Sequence, residues 1–280
     1  MGNVISGRGT KQKQRRWPKR IILVRHGESE GNLDKSVYRD VPDHRVQLTE
    51  RGKEQAKKAG ELIRSVVGQY CKIYFYVSPF LRTRETLKEI GAAFSSTEIT
   101  GVREECRLRE MDYSKFQNTE KMPEYKKERE RYGKFFYRFP SGDSAADVYD
   151  RISGFVESLW RDIEMNKIPE SSDNDNLNIV IVSHGLTIRI LLMRLFSWTT
   201  EQVESLTSPE NGEVRIMELT GDDEEYSLAL HHDDQTLEKW GLSPQMIVDQ
   251  KKRAYGPKVV DHLTSYFDLL PHINLDFGKK

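Results

Sequence analysis

The chain has 280 residues, enough for one large domain or two small ones with a substantial apolar core. At 36% hydrophobic and 31% charged residues it reads as a water-soluble globular protein, and no apolar run reaches membrane-spanning length or resembles a signal-peptide core. The formal charge of +0 hides an asymmetry: the first 20 residues carry seven Lys and Arg and no acid, leaving 37 basic and 44 acidic side chains elsewhere.

Two cysteines, Cys71 and Cys106, are too few for a disulfide framework and fit a reducing, cytoplasmic compartment. No zinc-ligand spacing and no GxxxxGK[ST] loop is present, so neither a metal nor a nucleotide cofactor is expected.

Residues 1–18 are rich in Gly, Lys, Arg and Gln and are expected to be disordered. The opening Met1-Gly2-Asn3-Val4-Ile5-Ser6 fits an N-myristoylation pattern at Gly2. One acyl chain holds a membrane only marginally, and a polybasic run is the usual second signal. The two stand here in series, so peripheral membrane contact through residues 1–20 is expected, rather than nucleic-acid binding.

From Arg20 the pattern becomes that of a folded domain, expected over 19–235. Residues 21–24, Ile-Ile-Leu-Val, read as a buried strand, and 28–46 as a polar loop or short helix able to fold over the strand end. Thr49 caps a helix over 50–67 with Ala56, Ala59, Leu62, Ile63 and Val66 on one face. A strand at 73–77 leads into a helix opening at Ser78-Pro79 and running to Phe94, and 97–100 fits a third strand. Residues 105–140 are charged and aromatic, with a helix from Met122-Pro123 to Arg131, and look like an insertion over the strand ends.

Ser144 opens a helix to about Met165 that buries Val148, Ile152, Phe155, Val156 and Leu159. A loop over 169–178 precedes a strand at 177–182 and an apolar helix at 186–196. Strands follow at 214–219 and, antiparallel to it, 226–231. The extension 236–280 has weak periodicity, and its structure stays open. Alternating strands and helices predict a three-layer α/β/α sandwich with a mostly parallel central sheet.

Two strand ends carry the chemistry. Arg25-His26-Gly27 ends the first strand, and Ser183-His184-Gly185 ends the one at 177–182. Side chains at the carboxyl ends of parallel strands share one crevice, so these residues form a cationic pocket suited to a phosphoryl group. His26 is the candidate nucleophile, since a neutral imidazole attacks phosphorus and splits one displacement into two. Arg25 offers a planar fork to phosphate oxygens, and Gly27 permits close backbone approach.

Ser78 through Thr86 places Arg82 on the first turn of a helix at the same end of the sheet; Arg84, two residues on, points in a different direction, so only one of the two is expected in the pocket. Gly185 and the helix N-terminus beside His184 favour an anion. The leaving alkoxide needs a proton donor, which Leu108-Arg109-Glu110-Met111-Asp112-Tyr113 supplies, with Glu110 the first choice and Asp112 the second. The remaining histidines, His44, His231, His232, His262 and His272, are assigned no role.

These pieces together resemble the histidine phosphatase superfamily, or phosphoglycerate mutase-like family, over roughly residues 20–220, and most closely its plant mutase-like members. The resemblance implies His26 as the phosphorylated nucleophile and Arg25, Arg82, His184 and Gly185 around the phosphate. It also implies that Asn32, in the run Arg25 through Asn32, touches the phosphate, that Glu110 is the acid/base, and that no metal is required.

Two departures stand out. Ser114 follows Tyr113 where many members have Gly, and the proline cluster of the true mutases is missing. A phosphatase acting on a phosphorylated small molecule or phosphoprotein is therefore expected. The alternatives are a cofactor-dependent mutase, and a catalytically idle phosphate-binding or membrane-adaptor protein.

Overall fold

The strand β1, Arg20–Arg25, is a run of β-branched and leucine side chains buried on both faces, as an interior parallel strand must be. Its side chains alternate between two cores. Ile21 and Leu23 join one apolar cluster, while Ile22 and Val24 join the other. The computed structural model describes residues 17–113, 121–168, 176–220 and 225–256. Residues 1–16 of the tail expected over 1–18, Gly2 among them, most of the 169–178 loop, and His262 and His272 lie outside these residues.

The described elements form a six-stranded sheet in the order β3-β2-β4-β1-β5-β6. β2 is Lys72–Val77, β3 Ile99–Glu104, β4 Leu177–Ser183, β5 Val214–Leu219 and β6 Tyr226–Ser227. β1, β2, β3 and β4 run parallel; β5 is antiparallel to β1, and β6 to β5. One face is covered by α2 (Glu50–Val67) and α3 (Leu81–Gly91), which pack on Ile22, Val24, Phe75 and Val180. The other face holds α5 (Ala145–Glu164) and α6 (Gly185–Phe196), packed on Leu23, Tyr76, Ile181 and Met217. This is the three-layer sandwich expected. Truncating a fully buried side chain of either core to Ala costs about 2–5 kcal/mol.

Local signals placed most elements, with informative exceptions. Thr49 caps α2 by accepting from the Gly52 N–H at 3.0 Å, but Leu62 is 47% exposed, and Val67 and Gly60 complete the buried face instead. A helix drifts against a face drawn by eye, and 62 falls just outside it. α3 begins at Leu81 with Phe80 as its cap, so Ser78-Pro79 forms the turn before the helix. β3 starts two residues later and runs four further than expected. β6 keeps only two residues of the expected 226–231, because the chain turns back at Leu228, whose carbonyl accepts from the N–H groups of His231 and His232.

The segment after 235 supplies α8 (Asp234–Lys239) and α9 (Pro244–Tyr255). Leu237, Trp240, Leu242, Met246 and Ile247 enter the same core as α5 and α6. Gln250 fastens them: its Oε1 accepts from Leu228 N–H at 2.9 Å, and its carbonyl from Ser227 Oγ–H at 2.6 Å.

The register fixes where function can sit. Val24 and Val77 both lie level with Val182, so the ends of β1, β4 and β2 open side by side. Above them stand α1 (Glu30–Leu33), 3-10 turns at Lys35–Arg39 and Asp43–Arg45, and α4 (Met122–Tyr132). A short α7 (Thr200–Ser205) follows α6.

Candidate active site

A cavity of about 560 Å³ opens over those strand ends. Arg25, His26, Asn32, Arg82, Glu110 and Gly185 all line it, although they come from segments up to 160 residues apart.

His26 is buried at its floor. Its Nδ1 faces the Gly27 carbonyl at 2.7 Å, and its Nε2 faces the Nε–H of Arg82 at 3.3 Å. A carbonyl only accepts and a guanidinium only donates, so the proton sits on Nδ1 and the lone pair on Nε2. Burial, with Arg82 and Arg25 nearby, holds its pKa well below the usual histidine range. The ring is thus neutral at pH 7, with its nucleophilic nitrogen aimed among the cations.

His184 lies against it, ring centroids 5.2 Å apart, fully buried as the cap of α6. Its Nε2 meets Ser78 Oγ at 2.8 Å, whereas its Nδ1 is buried with no partner. Phe80 packs edge-on at 5.0 Å. Burial, with Arg82 and His26 beside it, lowers its pKa well below the usual value too. If Ser78 donates to Nε2, Nδ1–H is left for a ligand oxygen, which resolves an otherwise costly orphan.

Arg82, on the first turn of α3, is gripped by Asp43: its Nη1 donates to the Asp43 carboxylate and carbonyl, each at 2.8 Å. Arg84 points away and approaches Glu104 at 3.8 Å on the exposed side, as the spacing required. Arg25 donates to the Pro209 carbonyl at 2.5 Å, while its buried Nε has no partner. Asn32 spends its carbonyl oxygen on Ser29 and on Asn211 Nδ2 at 3.1 Å, so its amide nitrogen is the end open to a ligand.

Glu110 enters at the N-terminus of α6. Its Oε2 accepts from the Leu186 N–H at 3.3 Å and its Oε1 from Thr187 Oγ–H at 3.2 Å, a placement the helix dipole favours. Asp112 is exposed and does not line the cavity, which separates the two acids that the sequence left in competition.

Gly27 permits the close backbone approach expected of it: a Cβ there would lie 2.1 Å from the Gly52 carbonyl at the start of α2. Glu28 binds that same start through its carbonyl, which accepts from Thr49 N–H at 2.9 Å.

Several participants carried no readable signal. Asn211 donates to the His26 carbonyl at 3.1 Å and, with Ser208 and Pro209, belongs to the turn before β5. Lys35, Tyr38 and Asp43 come from the loop expected to fold over the pocket; Met122, Pro123, Lys126 and Arg129 come from α4 in the expected insertion. Composition placed those segments near the site but singled out none of these residues. Among the described residues no group of His, Cys, Asp and Glu is arranged to hold a metal ion, and no helix is long and apolar enough to cross a membrane.

The profile of the histidine phosphatase superfamily, branch 1, matches residues 21–232. The chain is 56% identical over 246 residues to phosphoglycerate mutase-like protein AT74 of Arabidopsis thaliana, spanning 86% of this chain and 77% of that one. It is 31% identical over 290 residues to the broad-range acid phosphatase DET1 of Saccharomyces cerevisiae, spanning 72% and 86%. Among solved structures, a mycobacterial glucosyl-3-phosphoglycerate phosphatase shares the fold with a TM-score of 0.56 at 21% identity, over 71% of this chain and 89% of that one.

Proposed function

Because the chain belongs to the histidine phosphatase superfamily, we propose that it hydrolyses phosphomonoesters through a phosphohistidine at His26. The observation that carries this reading is the fixed tautomer of His26, with the Nε2 lone pair held toward a cavity lined by arginines.

In the first step Nε2 attacks phosphorus in line, the bond to the leaving alkoxide breaks, and Glu110 gives its proton to that oxygen. Arg25, Arg82, the Nδ1–H of His184 and the Asn32 amide hold the three non-bridging oxygens, where charge is spread in the transition state. Arg82 must exchange His26 Nε2 for a phosphate oxygen as substrate enters. A charged acceptor is the stronger partner. In the second step Glu110, now a carboxylate, takes a proton from water; that water displaces inorganic phosphate from His26, and the enzyme is restored.

Hydrolysis is favoured over mutase action because the chain lacks the proline cluster of the true mutases. The test is p-nitrophenyl phosphate hydrolysis with chelator present. His26→Ala should lower kcat by about 10⁴-fold or more, and rapid quenching of the wild type should trap an acid-labile phosphoenzyme. Unchanged turnover in the variant would remove His26 from the reaction.

A phosphoglycerate mutase is the second reading, favoured by the likeness to the plant mutase-like protein. Phosphoglycerate isomerisation dependent on bisphosphoglycerate, faster than phosphate release, would establish it instead. Membrane contact through Gly2 and residues 1–20 is a separate proposal resting on sequence alone; unchanged membrane fractionation of Gly2→Ala would end it.

A further inference from the structure

Both steps of the proposed reaction pass through Glu110, which must hold a proton, give it up and take it back. Two of its partners are backbone donors fixed in place. The Met111 N–H reaches Oε1 at 2.9 Å, and the Leu186 N–H reaches Oε2 at 3.3 Å. An N–H can only donate, so neither can adapt as the proton comes and goes.

The third partner can. Thr187, fully buried on the first turn of α6, sets its Oγ 3.2 Å from Oε1 and 2.9 Å from the Arg109 carbonyl. A helical threonine commonly bonds back to its own helix, as Thr86 does to the Arg82 carbonyl at 2.7 Å. Among the described residues both partners of the Thr187 hydroxyl lie instead in the acid loop, 77 and 78 positions back.

The loop stays in place without Thr187. Arg151 of α5 donates to the Arg109 and Glu110 carbonyls at 2.9 and 3.1 Å, and to that of Arg107 at 3.3 Å. Ser183 Oγ–H meets the Leu108 carbonyl at 2.8 Å. The backbone from Arg107 to Glu110 is thus held from α5 and the end of β4, and what Thr187 adds is a grip on the carboxyl group.

We propose that Thr187 is a positioning residue for Glu110: its hydroxyl holds Oε1, so that Oε2 carries the proton exchanged with the substrate oxygen and with water. This rests on the phosphatase reading and deepens it. Oε1 receives two donors, whereas Oε2 has one long contact, so the proton is placed on Oε2. In the first step the Oε2–H bond breaks, and its proton passes to the leaving oxygen as the bond from phosphorus to that oxygen opens. In the second, a proton of the attacking water returns to Oε2. The Thr187 hydroxyl has one proton and two acceptors in reach. It turns to Oε1 while Glu110 is a carboxylate and to the Arg109 carbonyl while Glu110 is an acid, because the charged acceptor is the stronger one.

The test compares kcat/KM of the full chain for p-nitrophenyl, phenyl and ethyl phosphate, a series of increasingly basic leaving groups. Thr187→Val keeps the shape and removes the hydroxyl. It should lose about tenfold on ethyl phosphate, less on phenyl phosphate and least on p-nitrophenyl phosphate. Thr187→Ser should recover most of the loss. Should Thr187→Val fail to fold in a urea titration, Thr187→Ala carries the same series. General damage to the pocket would lower all three esters alike. That result would overturn the proposal, as would no loss on ethyl phosphate or no recovery in Thr187→Ser.

A second arm is independent of turnover. With glutamate side-chain carboxyls isotopically labelled, the NMR resonance absent from Glu110→Gln is that of Glu110. In mildly alkaline buffer it should move in Thr187→Val and return toward its wild-type position in Thr187→Ser. If wild type hydrolyses none of the esters yet this shift is seen, the phosphatase reading falls and the placing of Glu110 stands. An unmoved resonance sinks the positioning role, whatever the turnover.

Discussion

The floor of the cavity and its outer wall are built on opposite principles. His26, His184 and Arg82 are almost wholly removed from solvent and locked by short contacts to Gly27, Ser78 and Asp43. Lys35, Lys126 and Arg129 stand on a loop and on α4, whose described residues include none that is buried, and they pair with no acid among the described residues. The floor descends from strand ends held by the sheet, so its side chains are fixed by the fold itself. The wall is made of excursions away from the sheet, where charge can be placed without disturbing the core.

The largest effect expected from this division is on the floor. Glu110→Gln should lower kcat for alkyl phosphates by about 10²–10⁴-fold, the range general acids contribute. The loss should be far smaller for p-nitrophenyl phosphate, whose leaving group departs without a proton. Equal losses on both substrates, measured by phosphate release, would show that Glu110 is not the donor.

Gly27→Ala probes the same floor through its packing. With the Gly52 carbonyl 2.1 Å from the new Cβ, β1 and α2 must move apart, at about 1–3 kcal/mol for an overpacked site. A urea titration should show the lowered midpoint, and an unchanged midpoint would refute the contact.

A third test uses pH. Burial holds His26 and His184 well below the ordinary histidine pKa and His232 at about 4, so the unfolded chain binds more protons than the native one below about 6.5. The stability from these neutral rings is fully present above pH 6.5 and is lost as pH falls toward 4. Thermal midpoints should therefore drop between pH 7 and 5, where most carboxylates stay ionised. His232→Gln, which retains an acceptor for the Ile216 N–H, should flatten part of that slope. A midpoint rising toward pH 5 would reverse the argument.

The smallest effect belongs to the wall. Lys126→Ala is an exposed helical substitution and should leave stability within about 0.5 kcal/mol of wild type in the same urea titration. A larger loss would mean that the wall is part of the scaffold after all, and would blur the contrast with Gly27.

Much of this molecule was legible before any coordinates. A β-branched run buried on both faces marks an interior strand, and Arg25-His26-Gly27 and Ser183-His184-Gly185 mark where two such strands stop. The caps Thr49 and Ser144 marked helix starts, because a side-chain oxygen must meet N–H groups that the first turn leaves open. These signals are local, and local periodicity reports faithfully on a residue's own element.

What the chain decided only on folding is which elements meet. The register that sets Arg25 level with Ser183 brings His26 beside His184 across 158 positions, and no sequence pattern specifies that pairing. Asp43 reaching Arg82, Asn211 beneath His26, and α9 tied to the end of β6 through Gln250 have the same origin. So does the choice between Glu110 and Asp112: neighbours in sequence, they differ only in which one turns toward the N-terminus of α6. Such contacts follow from the closing of two cores around one sheet, a condition satisfied by the whole chain at once and written in no single stretch of it.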